Sequence, residues 1–380
     1  MNEQRLLNTF LELVRTDSES YFERPMQELV VRKLQDLGAR VYVDNAGEKY
    51  ETNAQGNVMA FFAGTAPSEP ILLAAHLDTV TPGKGVKPVV QKERITSDGT
   101  TVLGGDDKAG VAIILELLAT LKEQEKPYPP VEVLFTLTEE RGMCGSKNLD
   151  YSHLKSREGL ILDNEAHDEL LIQGPSVSDI EVWIKGVAAH AGVCPEKGIS
   201  AVEVAAKALA KMKLGRVNKD TVANFAIIRA GGTATNVVTD EIYLKGEARS
   251  LCPKKLEKEL AHIEDCLNAA AAQFVKTVDG KTIRPHITFK ATSRYGAVQV
   301  SKQAPIVKLV KAAAKRQGVN LRTVGSGGGC DANVLSGYGF TLPNLGVGVQ
   351  NCHTTNEYLE LKPFFTAFKT VLNTVLNYRK

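Results

Sequence analysis

The chain has 380 residues, 43% hydrophobic and 24% charged, with a formal net charge of +2. That is the composition of an ordinary globular protein, long enough that two domains are expected rather than one. The near-neutral balance gives no electrostatic reason for a nucleic-acid partner, and no apolar run approaches the ~20 residues of a membrane span.

Met1-Asn2-Glu3-Gln4-Arg5 leads into an amphipathic helix rather than a signal peptide, which makes the cytoplasm the expected compartment. Apolar residues at helical spacing predict helices over Leu6 to Val14 and Met26 to Leu37, the second stopped by Gly38. Ala39 to Val43, Asn57 to Phe62 and Ile71 to Ala75 read as strands. Gly110 to Lys122 reads as an apolar helix, and after Pro127, Pro129 and Pro130 comes a strand from Val131 to Thr138. Gly159 to Leu162 is a further apolar, strand-like segment. This alternation indicates an α/β domain with a mostly parallel sheet flanked by helices.

A different order begins near Ser178. Ile180 to Lys185 alternates as a strand and Ser200 to Met212 reads as a helix. Thr221 to Arg229 and Asn236 to Arg249 read as strands, Pro253 to Phe274 as a long helix whose solvated face carries Lys254, Lys255 and Lys258, and Arg284 to Lys290 as a last strand. The order β-α-β-β-α-β predicts an inserted ferredoxin-like α+β domain over residues 178–292. The first pattern then resumes: helices over Pro305 to Gln317 and Phe364 to Tyr378, strands over Leu321 to Val324 and Leu342 to Val349. Residues 1–177 and 293–380 would together form the catalytic domain. Six cysteines lie far apart with no CxxC among them and are expected as thiols. Cys144, Cys194 and Cys352, each near a candidate site residue, read as small buried hydrophobes.

Three apolar strands run into residues that bind metal. Ile71 to Ala75 ends on His76-Leu77-Asp78, the Val131 strand on Glu139-Glu140, and Gly159 to Leu162 on Asp163. Desolvating an unpaired carboxylate is costly, yet the carboxyl ends of the strands in an open α/β sheet are where ligands sit. His76 and Asp78, two residues apart, would face one side, so the acid can orient the ring. Glu139 and Glu140 diverge on an extended segment, one free to bind metal and the other to act as general base. Asp106-Asp107-Lys108 follows Gly104-Gly105 at a helix start, where capping is the plain reading for Asp107. His353 lies in a polar stretch after a Gly-rich strand, and His190 among small residues in the inserted domain. His76, Asp106, Glu140, Asp163 and His353 exceed the usual three protein ligands of one catalytic zinc and suit two divalent metals with one carboxylate shared. A Rossmann-type dehydrogenase is disfavoured, because Gly325-Ser326-Gly327 is followed by Cys330 where G-x-G-x-x-G needs glycine, and the segment lies late in the chain. A non-catalytic metal-binding relative would be expected to have lost a ligand or Glu139, and none is missing.

With these residues in order, the chain resembles the dinuclear zinc metallopeptidase and amidohydrolase family of peptidase T, carboxypeptidase G, aminoacylase and succinyl-diaminopimelate desuccinylase. The resemblance runs through His76-Leu77-Asp78-Thr79-Val80, Gly105-Asp106-Asp107-Lys108-Ala109-Gly110, Thr138-Glu139-Glu140, Asp163, His190, Asn236, Arg249 and His353-Thr354, and Asp-Asp-Lys-Ala-Gly looks most like the peptidase T-like branch. It implies that His76 and Asp163 hold one metal, Glu140 and His353 the other, with Asp106 bridging. Asp78 would orient His76 and Glu139 would be the base. His190, Asn236 and Arg249 would bind substrate from a lid domain that also forms a homodimer surface, with His190 acting in its own or the partner's site. Gly327-Gly328-Gly329-Cys330-Asp331 matches a Gly-rich substrate loop, with Cys330 where small polar residues are common. The resemblance implies cleavage of short peptides, tripeptides or aminopeptidase substrates, using two zinc ions, or manganese or cobalt. An N-acyl-amino-acid or related amide hydrolase is the alternative.

Overall fold

The computed structural model describes residues 2–232 and 234–378. The chain divides into two compact units, Met1–Gln173 with Gln299–Lys380, and Gly174–Val298. Among the described residues no helix is long and apolar enough to cross a membrane.

The first unit is built on a mixed sheet of nine strands. Its centre is parallel: Ile71–His76 lies between Val131–Thr136 and Gly159–Asn164, and Asn344–Gly346 follows in parallel on the far side. Val58–Phe62 and Arg40–Val43 continue the sheet antiparallel beyond Val131–Thr136. Every residue of Ile71–His76 and Val131–Thr136 is buried, so these strands read as continuous apolar runs, as central parallel strands must when both faces are covered. The Gly105–Glu123 helix is buried on almost every side from Asp107 to Leu121, which explains why it is apolar all round.

Two glycines set the spacing that the site depends on. A Cβ on Gly159 would lie 1.8 Å from the Leu72 carbonyl oxygen, so only glycine lets these strands approach so closely. A Cβ on Gly110 would lie 2.5 Å from Asp107 Oδ1 and 2.6 Å from the Leu162 carbonyl oxygen. Gly110 therefore brings the start of the helix against the end of the strand that carries Asp163.

The segment expected as one strand from Leu342 to Val349 is split. Asn344–Gly346 stays in the large sheet, whereas Val349–Gln350 belongs to a small sheet with Tyr358–Glu360, Arg94–Thr96 and Val89–Val90. The chain changes sheets at Gly348, whose φ of +91° is open to glycine. The small sheet is a hairpin platform for the loop that bears His353. Glu169–Gly174, a strand the sequence reading did not find, pairs antiparallel with Asn344–Gly346 and parallel with Arg322–Gly325.

The second unit is a ferredoxin-like sandwich. Its strands lie in the order Gly215–Arg216, Thr221–Ala230, Glu241–Ser250, Ser176–Lys185 and His286–Tyr295, all neighbours antiparallel. One face carries Ile180, Val182, Ile184, Ile242 and Leu244, packed with Val204, Ala208, Ile263 and Leu267 from helices Ala201–Lys211 and Pro253–Ala272. Alternate residues face the other way: Glu181, Trp183, Tyr243, Glu247 and Arg249 carry polar and aromatic groups away from the helices, as period-2 alternation requires. Asn236, expected at a strand start, lies instead in a turn ahead of Glu241–Ser250.

Gly110→Ala should overpack the contact between helix and strand and destabilise the protein by about 1–3 kcal/mol. Urea unfolding would check this, and a loss below about 0.5 kcal/mol would mean that the helix start can move away freely.

Candidate metal centre

His76 is the last residue of its strand and is 2% exposed. Its Nδ1 lies 3.0 Å from the Asp78 carbonyl oxygen and 3.3 Å from Asp78 Oδ1, and both can only accept a proton. Nδ1 is therefore a donor, and Nε2 faces Asp106 Oδ1 at 3.0 Å and Asp163 Oδ1 at 3.6 Å. A ring nitrogen aimed at two carboxylates marks a place where positive charge belongs. Burial opposes a charged His76, but hydrogen bonds to Asp106, Asp163 and Asp78 raise its proton affinity well above that of a free imidazole.

Asp106 sits between the two imidazoles. Its Oδ1 meets His76, and its Oδ2 lies 3.2 Å from His353 Nε2. His353 Nε2 is also 2.9 Å from Glu140 Oε1. These hydrogen bonds to Asp106 and Glu140 lift His353 to about 10. Burial would raise Asp106, yet His353 and His76 together hold it well below the usual carboxylate range. Asp163 moves the other way, raised by burial and by the negative charge of Asp106 beside it. The protein thus gathers more carboxylates than imidazoles can balance in a buried space.

The backbone explains this arrangement. The Gly105–Glu123 helix is kinked at its start, where Asp106 (φ −80°, ψ 107°) and Asp107 (φ −115°, ψ 33°) both lie outside helical values. Asp106 is thereby turned toward the sheet edge, whereas Asp107 faces inward. Asp107 Oδ2 accepts the His76 N–H at 3.2 Å and its Oδ1 accepts the Gly110 N–H at 3.1 Å. Asp107 combines the capping expected of it with a hold on the His76 backbone.

Asp78, fully buried, holds more than the ring of His76. Its Oδ1 and Oδ2 accept the backbone N–H groups of Glu139 at 2.8 Å and Glu140 at 3.2 Å, and Ser20 Oγ donates to Oδ2 at 2.7 Å. One carboxylate thus ties the His76 strand end to the Glu139-Glu140 turn. Glu23, also fully buried, accepts from the Thr138 hydroxyl and, at 2.9 Å, from that of Thr52, which fixes Thr138 at φ +50° just before Glu139. Glu139 itself is half-buried, and burial raises it well above the usual range; His76 opposes that rise, and Asp331, Asp163 and Glu140 add to it. Asn344 places Asp163: its Oδ1 accepts the Asp163 N–H at 2.8 Å and its Nδ2 donates to the Asp163 carbonyl at 2.9 Å.

The five expected ligands, with Asp78 and Glu139, therefore come together in the first unit. Two overlapping groups could each hold an ion, His76 with Asp106 and Glu140, and His76 with Asp107 and Asp163, their ligand atoms lying within 4.8 Å of one another. The donor set of imidazole nitrogen and carboxylate oxygen fits divalent zinc or a similar ion. His190, Asn236 and Arg249 belong to the second unit. His190 is exposed and pairs with Val237, and the Ala191 N–H donates to the Asn236 carbonyl at 2.8 Å, so those two loops lie together. Arg249 lies near the far end of the Glu241–Ser250 strand, its Nε 2.6 Å from Glu247 Oε1. In the Gly-rich loop, Gly327 to Gly329 are exposed and Cys330 is buried, with its Sγ 3.7 Å from Asn344 Nδ2.

Ser20, Glu23, Asn344 and Glu357 support the site without having been singled out from sequence. A lone Ser, Asn or Glu far along the chain carries no periodic or spacing signal. Glu357, four residues after His353 in the same polar stretch, had the nearest thing to one.

The model of peptidase family M20/M25/M40 matches residues 72–377. A crystal structure of aminopeptidase PepT from Bacillus cereus superposes with a TM-score of 0.92 at 36% identity, covering 99% of this chain and 98% of that one. A tripeptidase from Staphylococcus aureus does so with a TM-score of 0.89 at 35% identity, over 99% and 98%. The YqjE protein of Bacillus subtilis is 38% identical over 363 residues, 95% of each chain. The chain belongs to peptidase family M20/M25/M40, in the peptidase T-like branch.

Proposed function

We propose that this protein is a metal-dependent exopeptidase that hydrolyses short peptides, tripeptides among them, with two divalent metal ions, zinc by preference. The observation that carries the reading is Asp106, whose two carboxylate oxygens each face a different imidazole. That is the geometry of a bridging ligand, with His76 and Asp163 on one side and Glu140 and His353 on the other. The similarity to PepT of Bacillus cereus and to the tripeptidase of Staphylococcus aureus supports the substrate class.

When bound, two divalent ions would supply Lewis acidity, making the scissile carbonyl more electrophilic and water more acidic. Glu139 takes the proton from the attacking water and returns it to the leaving nitrogen, so one carboxylate serves as base and then as acid. Asp78 keeps the proton of His76 on Nδ1 and leaves Nε2 for the ion. His190 donates to the developing oxyanion. Asn236 and Arg249 hold the carbonyl and terminal carboxylate of the substrate.

The second unit supports a division of labour between two copies. His190 and Asn236 lie at the Lys185–Glu241 end of the sheet and Arg249 at the Val177–Val222 end. Eight residues of strand separate Glu241 from Arg249, about 27 Å at the usual rise, more than a bound tripeptide spans. On this reading the two groups serve different sites, as they would in a twofold homodimer. Its surface would be the outer edge of Thr221–Ala230, which from Asn224 onward has no strand partner among the described residues and exposes Ile227 and Ile228. All six cysteines are free thiols, in keeping with a cytoplasmic setting.

Assay of the metal-stripped and zinc-reconstituted protein on tripeptides, dipeptides and N-acyl amino acids tests the reading. Activity should vanish with the metal, return with two equivalents, and favour tripeptides; a preference for N-acyl amino acids would move the protein to the amidohydrolase side of the family. Glu139→Ala should keep both metals and lose turnover by ~10²–10⁴ or more, and near-normal activity would remove Glu139 from the base role. His190→Ala and Arg249→Ala, each inactive alone, should recover about a quarter of wild-type activity when co-assembled, since half the dimers are mixed and each carries one intact site. No recovery would mean that His190 and Arg249 act in the same copy.

A further inference from the structure

Glu357 neither ligates nor faces substrate in this reading, yet both its carboxylate oxygens are committed to the loop that carries Asp106. Oε2 accepts the Gly104 N–H at 2.7 Å and Oε1 accepts the Asp106 N–H at 3.0 Å, across 251 residues of sequence in the second case. The residue is 1% exposed. Its own N–H donates to the Thr354 carbonyl at 3.1 Å, closing the turn that begins just after His353. Within that turn Thr354 Oγ1 donates to the Asn351 carbonyl at 2.9 Å and accepts the Asn356 N–H at 3.2 Å. The next residues, Tyr358–Glu360, anchor the loop in the small sheet. Glu357 thus holds, through its backbone, the loop of one imidazole and, through its side chain, the shared carboxylate.

A cation attracted to Glu357 lies nearby. Lys108 is fully buried, its Nζ has no hydrogen-bond partner among the described residues, and it is attracted to Glu357 through space. The chemistry also selects a carboxylate. The loop presents two N–H donors, and glutamate can accept at both oxygens, whereas glutamine accepts at one and sets a donor against the other. Aspartate would fall short by about 1.5 Å, one carbon–carbon bond.

We propose that Glu357 is a positioning residue for the metal held by Glu140 and His353: it sets Asp106 and His353 at the separation at which both can bind one ion. The inference rests on the dinuclear reading of the site. Wild type, Glu357→Gln and Glu357→Asp would be stripped of metal and titrated with zinc against a chromophoric chelator, alongside thermal unfolding of the metal-free proteins and kinetics at saturating zinc.

The wild type should take up two equivalents. Both variants should keep the first binding event and weaken the second by about 10–100-fold, the usual effect of removing a group that orients a ligand. Their metal-free Tm should stay near wild type, and at saturating zinc kcat should fall while KM for a tripeptide changes little. Wild-type affinity for both equivalents in Glu357→Gln overturns the proposal, as does equal weakening of both events. Failure of both variants to fold also overturns it, since Glu357 would then serve the fold. A wild type that binds fewer than two equivalents overturns the dinuclear reading itself, and the positioning role with it.

Discussion

The structure of the first unit is organised around charge that the protein cannot neutralise by itself. Asp106, Glu140 and Asp163 meet at the end of a buried parallel sheet, with Asp107 and Glu139 close behind, and two imidazoles are the basic groups that touch the ligand carboxylates. Burying one unpaired carboxylate is already costly. Gathering several calls for compensating positive charge, and hydrogen bonds to these acids raise the proton affinities of His76 and His353.

A second group of acids holds the first in place. Asp78 fixes His76 and the Glu139-Glu140 backbone, Asp107 fixes the His76 N–H and the helix start, and Glu23 fixes Thr138. Glu357 does the same for Gly104 and Asp106. Each accepts backbone N–H or hydroxyl donors, so hydrogen bonds meet much of its charge. The ligands are therefore placed by main chain held on both sides of the gap, which is what a preorganised metal site requires. The glycines at 110 and 159 serve the same end, since any side chain there would push helix and strands apart.

Much of this was legible in the chain. Apolar runs ending in His76-Leu77-Asp78, Glu139-Glu140 and Asp163 announced a sheet whose carboxyl edge gathers acids and an imidazole, because an unpaired charge at the end of a buried strand is costly. The β-α-β-β-α-β order of the second unit was equally legible, since alternation of apolar residues at period 2 and 3.6 survives in Ile180 to Lys185 and Ser200 to Met212. The small sheet under His353 was not, because its strands are two or three residues long and carry too few positions for a period. The split at Gly348 escaped for the same reason: a glycine between apolar residues is compatible with one bent strand or with two.

The sequence by itself determined which donor types the candidate centre offers, because residue type decides what can bind a divalent ion, and order along the chain decides which strand ends carry them. Only the tertiary structure decided how those residues are held. Whether Asp106 or Asp107 faces the imidazoles depends on backbone angles at a helix start, which no spacing rule encodes. That Glu357 reaches Asp106 depends on a hairpin from the far end of the chain closing over the helix start, a contact between segments 251 residues apart. Local pattern specifies elements, whereas the partner of a buried polar group is chosen by whatever the completed fold brings within hydrogen-bonding distance.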